Sequence, residues 1–146
     1  MSEVLATVWD DVNCRGVPRL ISVGGIASRT SGSAFSVGTP LFPNGSGKLI
    51  PCDGTETAVR RFSGFSVTAS AAPDDTVSVA LPGQIATGHA GLTPGALYFL
   101  CGTGIVESSA LAAWIGAQPA DTPYCQIGTA QSATELLVVP GNLQTT

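Results

Sequence analysis

Apolar and polar positions alternate along this chain in short bursts. Thr76-Val-Ser-Val-Ala-Leu shows the period of two that gives a strand one wet face and one dry face. Similar bursts lie at residues 39–42, 48–51, 61–69, 97–101, 104–107, 124–130 and 135–139, with Gly, Pro, Asn or Asp at most of their borders. Short strands with turn signals at such intervals predict an all-β fold, a small barrel or sandwich. One stretch departs from the pattern. Glu107-Ser-Ser-Ala-Leu-Ala-Ala-Trp-Ile-Gly offers a Ser cap, good helix formers and a Gly stop, which predicts a single helix of about two turns.

The strand-like pieces recur. Gly38-Thr-Pro-Leu-Phe-Pro-Asn-Gly-Ser-Gly-Lys-Leu-Ile aligns at an offset of 57 with Gly95-Ala-Leu-Tyr-Phe-Leu-Cys-Gly-Thr-Gly-Ile-Val-Glu, which puts Gly45 on Gly102, Gly47 on Gly104 and Leu49 on Val106. Phe62-Ser-Gly-Phe-Ser matches Gln126-Ile-Gly-Thr-Ala at 64, and Val79-Ala-Leu-Pro-Gly matches Leu137-Val-Val-Pro-Gly at 58. A changing offset means loops of different length between conserved strands. Two pseudo-repeats, about 36–83 and 93–141, therefore build a β domain over 35–146, and the paired Gly-x-Gly turns supply the positive φ of tight hairpins. The helix falls in the variable loop of the second repeat, as an insertion.

Before residue 35 the organisation changes. Residues 1–34 carry Trp9 beside Asp10 and Asp11, the arginines Arg15, Arg19 and Arg29, and the loose run Gly24-Gly-Ile-Ala-Ser-Arg-Thr-Ser-Gly-Ser. This reads as an extended arm and linker with one strand at residues 19–23. A terminal Trp either folds back on its own core or anchors on a partner.

Composition narrows the function. Leu, Ile, Val and Phe make up about a quarter of the chain, enough to fold, and charged residues only 11% against an ordinary ~25%. All six basic residues precede residue 62, without the clustered Lys and Arg a nucleic-acid partner requires. No apolar run is long enough for a membrane span. The N-terminus lacks a basic region and an apolar run, so the expectation is a chain that stays in the cytoplasm where it is made. Cys14, Cys52, Cys101 and Cys125 lack zinc spacing and read as buried, unpaired small hydrophobes. With His89 as the only histidine, set in Thr87-Gly-His-Ala-Gly, neither a nucleophile–base pair nor a metal site is indicated, and His89 reads as an exposed turn residue. Asp74-Asp75, Asp53-Gly-Thr and Asn44-Gly-Ser read as turns, and the Gly-x-Gly pairs lack phosphate-loop spacing. The expectation is a protein that is not an enzyme and takes no cofactor and no metal.

Two segments carry a resemblance. Gly91-Leu-Thr-Pro-Gly-Ala-Leu-Tyr-Phe-Leu and Gln126-Ile-Gly-Thr-Ala-Gln-Ser-Ala-Thr-Glu-Leu-Leu-Val resemble a β module recurrent in tailed-phage virion proteins, in head decorations and fibres. Gly38-Thr-Pro-Leu, Lys48-Leu-Ile-Pro-Cys-Asp-Gly-Thr-Glu and Gly64-Phe-Ser-Val-Thr-Ala are similar to the head-decoration (cement) proteins of lambda-like phages. The resemblance covers roughly residues 36–140. It implies a β-tulip-like fold, a homotrimer, and an N-terminal arm that orders on the major capsid protein. On that reading Trp9 anchors the arm, Arg15, Arg19 and Arg29 pair with acids of the shell, and the protein resides on the outer surface of the virion capsid. The alternative is a fibre or spike module that binds a host-cell receptor, against which stands the lack of coiled-coil heptads and fibrous repeats.

Overall fold

The computed structural model describes residues 26–146. Cys14, Trp9, Arg15, Arg19 and the strand expected at residues 19–23 lie outside the described residues. The alternating bursts form two antiparallel sheets. The first contains β1 (Ala27–Thr30), β2 (Pro40–Pro43), β3 (Leu49–Pro51), β4 (Gly64–Ser66) and β5 (Thr76–Ala80), ordered β1-β5-β4-β2-β3. The second contains β6 (Ile85–Ala86), β7 (Leu97–Cys101), β8 (Gly104–Glu107), β9 (Pro123–Ala130) and β10 (Leu136–Val138), ordered β6-β10-β9-β7-β8; β11 (Gln144–Thr145) pairs with the start of β9. Strand for strand, the two orders are the same.

The helices follow the same plan. α1 (Glu56–Arg60) lies between β3 and β4, and α2 (Ser108–Gly116) between β8 and β9. The expectation of at most one helix is thus corrected. Thr55 caps α1 by accepting from the Ala58 amide (3.2 Å), and Arg60 meets Glu56 one turn earlier (2.6 Å), so residues expected to lead into a long strand at 61–69 coil instead. Only 64–66 of that stretch pair as strand. The repeat also begins earlier than its apolar pattern indicates. Ala27–Thr30, placed in the linker by sequence, pairs along β5 through Ala27–Val79 to Thr30–Thr76, but its side chains are mostly exposed and polar, so no alternation marks it.

Ladder positions fix which residues correspond. Leu41 sits opposite Gly64 and Tyr98 opposite Gly128, while Val79 faces Ser66 and Leu136 faces Ala130. The alignment slips by one residue in the hairpins. Phe42 pairs with Ile50 and Phe99 with Val106, so Leu49 corresponds to Ile105 rather than Val106. In the first turn Gly47 takes φ 79, and the Asn44 carboxamide accepts from the amides of Ser46 and Lys48 (2.8 and 3.0 Å). In the second, Gly102 alone takes positive φ (67) at the first position of a two-residue loop, where a type II′ turn requires it. Gly45 and Gly104 are ordinary.

Each sheet has a front, marked by Leu41 and Val79 in the first and by Tyr98 and Leu136 in the second, and a back, marked by Phe42, Phe65 and Ala80 in the first and by Phe99, Thr129 and Leu137 in the second. The main core joins the back of the first sheet to the front of the second: Phe42, Phe65 and Ala80 pack with Tyr98, Leu100, Ile127, Leu136 and Val138. A smaller core of Phe35, Leu41, Leu49, Val77 and Val79 fills the front of the first sheet. That sheet curls over it, because Ser31 bridges to Leu49 and the Gly32 amide donates to the Leu49 carbonyl (2.7 Å). The architecture is a sandwich of two antiparallel sheets, not a closed barrel.

Gly64 and Gly128, aligned by sequence, do the same work. A Cβ on either would stand 2.2 Å from the Ala80 carbonyl oxygen or 2.1 Å from the Leu137 carbonyl oxygen on the neighbouring strand. Backbone cannot yield that far cheaply. Gly64→Ala and Gly128→Ala should each cost about 1–3 kcal/mol or more, read by denaturant melts, whereas Gly45→Ala, whose Cβ meets nothing within 4 Å, should leave the midpoint nearly unchanged. Equal stability of all three would contradict the close-approach account.

Candidate functional surface

Several candidate residues resolve into local structure. Asp53 accepts from the amide and hydroxyl of Thr55 (3.1 and 2.7 Å), which holds its carboxyl below the usual range and pre-forms the entry to α1. Asp75 accepts from the amides of Ala71 and Ala72 (2.8 and 3.1 Å), while Asp74 takes φ 73 and pairs with Lys48. These acids serve turns, as their sequence context indicates. Among the described residues no group of three or more His, Cys, Asp or Glu is gathered so as to hold a metal ion, and no helix is long and apolar enough to cross a membrane.

Cys52, Cys101 and Cys125 are buried and unpaired. Burial pushes the thiols of Cys52 and Cys101 up to about 12 and that of Cys125 to about 11, so they pack as small hydrophobes with no reactive thiolate.

His89 departs from its reading as an exposed residue. Its amide donates to the Thr134 carbonyl (3.3 Å), its ring stands edge-on to Phe65 with centroids 4.9 Å apart, and its Nε2 is buried without a hydrogen-bond partner. Desolvation therefore lowers its pKa. The glycines at 88 and 91, both at positive φ, fold the loop onto the first sheet.

The Gly-Leu-Thr-Pro-Gly-x-x-Tyr pattern has a structural job. The Tyr98 hydroxyl accepts from the Thr93 amide (2.8 Å), Leu92 is buried, and Gly95 takes φ 83. Glu107 gathers the hydroxyls of Thr93 (2.8 Å) and Ser109 (3.1 Å), with Tyr98 at 3.4 Å, and so ties the entry of β7 to the start of α2. Nothing in the residue spacing singled out Glu107.

Two surfaces remain. The first is the edge of β1, where Arg29 is exposed and its guanidinium donates to the neighbouring Ser28 carbonyl (2.9 Å). The structure sets Arg29 on an edge strand at the start of the described residues, opposite Val77 in register; it cannot be related to Trp9, Arg15 or Arg19, which lie outside them. The second is the back of the second sheet. Leu97, Phe99, Thr129 and Leu137 are half-buried there, Ile85 pairs with Leu137 and is 42% exposed, and Val139 is 43% exposed.

No protein-family model matches the chain, and no curated protein and no solved structure resembles it at a significant level.

The His89 environment generates a pH dependence. Unfolded, the imidazole titrates near its ordinary 6.5; folded, it titrates lower, so on acidification the unfolded chain takes up the proton first. Stability is held above about 6.5 and falls as pH drops from there to the lowered folded pKa. His89→Phe should flatten that fall in thermal melts between pH 7.5 and 5; an identical slope in wild type and variant would remove His89 as its source.

Proposed function

We propose that this chain is a structural protein of a tailed-bacteriophage virion, a decoration protein that binds the outside of the capsid and stabilises it. What carries the reading is the two-sheet stack: a charge-poor β scaffold whose repeat spans the same residues as the resemblance to head-decoration proteins. A protein that works by covering a shell and touching its own copies needs rigid, complementary surface more than a pocket of titratable groups. Asp53, Asp74 and Asp75 are engaged in turns, and Cys52, Cys101 and Cys125 in the core.

In this reading the major capsid protein and further copies of the chain, as a homotrimer, are the partners. The segment before β1 acts as the arm, with Trp9 as anchor and Arg15, Arg19 and Arg29 meeting acids of the shell. Arg29 stands where such an arm would leave the domain, on an exposed edge strand.

Because β1 belongs to the first sheet, a truncation that tests the arm must stop before Ile26. Wild-type protein mixed with undecorated expanded capsids should co-sediment at fixed stoichiometry, and deletion of residues 2–25 should abolish binding while circular dichroism remains that of the folded β domain. Wild-type occupancy by the truncated protein would refute the arm; absence of co-sedimentation by the wild type would refute the decoration reading.

A further inference from the structure

His89 holds a buried polar atom for which the described residues supply no partner, its Nε2. The neutral imidazole tolerates this by carrying its proton on Nδ1 and leaving Nε2 as a bare lone pair. The imidazolium cannot. Both nitrogens then bear protons, and the one on Nε2 becomes a buried, charged donor with nothing to receive it. The surrounding elements do not answer that charge. β4, β5, β6 and the turn at residues 36–39 carry no charged residue. The helix end that brings Phe62 against Phe65 carries Arg60 and Arg61, both exposed, with Arg60 engaged by Glu56 (2.6 Å). The turn that receives the His89 amide carries Glu135, whose Oε1 stands 3.5 Å from the Ser132 hydroxyl. Desolvation acts on His89 with no carboxylate to offset it.

The loop around His89 is lightly tethered. Residues 87–91 run between two buried anchors, Ala86 and Leu92, and His89 is the one residue of the five that is not exposed. Inside the loop a single backbone bond, from the His89 amide to the Thr134 carbonyl, holds it to its own module, and at 3.3 Å that bond is long. Contact alone presses it onto the first module. The imidazole stands edge-on to Phe65, and Gly88 sits so close to Val37 that a Cβ at 88 would lie 2.2 Å from the Val37 Cγ1. Gly88 and Gly91, at φ 89 and 72, frame the ring at either side.

We propose that the 87–91 loop is an acid-released latch between the two modules: protonation of His89 swings it off Phe65 while both sheets stay formed. The sign follows from linkage. With the loop open the imidazole returns to water and takes its proton near the ordinary 6.5, whereas with the loop closed it takes it only at lower pH. Opening is therefore unaffected well above 6.5 and gains up to about tenfold per pH unit as pH falls from there to the lowered value. Release gives up one ring contact, one glycine contact and one long hydrogen bond, whereas unfolding gives up the core shared by both sheets, so the loop opens first. Acid then uncovers the side of Phe65 that His89 occupies, at the seam between the modules. The latch stands independently of the decoration reading.

The test is residue-resolved amide hydrogen exchange on the full chain, with NMR titration of the His89 ring. The ring should titrate below 6.5. Corrected for the intrinsic pH dependence of exchange, the residue 89 amide should accelerate about fivefold or more from pH 7.5 to 5 in wild type and stay level in His89→Phe. At each pH it should exchange about a hundredfold or more faster than the slowest amides of β9, because it opens without them. Gly88→Ala, whose Cβ would strike Val37, should accelerate the same amide already at pH 7.5, and this variant and the wild-type titration stand if His89→Phe does not fold. A ring that titrates at or above 6.5 overturns the proposal, as does equal acceleration in His89→Phe. Protection at residue 89 equal to that of β9 also overturns it, since the loop would then open only with the whole fold.

Discussion

Phe65 lies fully buried where the back of the first sheet meets the front of the second, with Phe62 and His89 edge-on to its ring and Ala80 beside it on β5. Truncating such a side chain costs about 3–5 kcal/mol, a large part of the 5–15 kcal/mol that holds an ordinary domain together. Neither sheet is a domain without this contact. The first would expose Phe42, Phe65 and Ala80, and the second would expose Tyr98, Leu100, Leu136 and Val138. Hence the two modules share one core, although each also closes its own hydrogen-bond ladder.

The contact joins unlike faces, back to front. A duplicated module that packed face to like face would bury its apolar surface symmetrically and leave both outer faces free to be polar. Packing in series leaves the two ends different. At one end the first sheet curls and fills its own front through the Ser31 bridge, with the buried hydroxyls of Ser31 and Ser70 bonded to each other (2.8 Å) and to the Ala72 carbonyl. At the other end no such curl forms among the described residues, and the helix beside the second sheet is uncharged.

The sequence made the architecture legible to different depths. Strand pieces with Gly and Pro at their borders were readable because period-two burial and turn geometry each demand particular residue types. Gly64 and Gly128 were aligned correctly, although their reason, a neighbouring carbonyl within 2.2 Å, belongs to tertiary structure. β1 and β6 were missed, since edge strands that are mostly exposed carry no alternation. α1 was missed because its five residues fall between two strand-like bursts, where the pattern reads as a loop, and the cap at Thr55 decides otherwise. The constant offset through the hairpin was wrong by one residue, since two turns of different length can each contain Gly-x-Gly. For the candidate surface the low charge was the visible sign; which face is left open depends on back-to-front stacking, which no local pattern encodes. His89 turned out packed rather than exposed for the same reason, its partner Phe65 lying in the other module.

Pairing of first with last strand in each module also shapes how the chain comes to fold. Ala27 waits for Val79, and Ala86 for Leu136, each about fifty residues later. Non-local pairing of this kind closes late and folds slowly. During synthesis at about 5–20 residues per second, β1 would emerge roughly 2–10 s before its partner strand exists. For that interval the growing chain holds an unpaired strand whose exposed side chains are Ser28, Arg29 and Thr30. Their polarity, which hid the strand from the apolar pattern, makes it a poor template for pairing with other nascent chains.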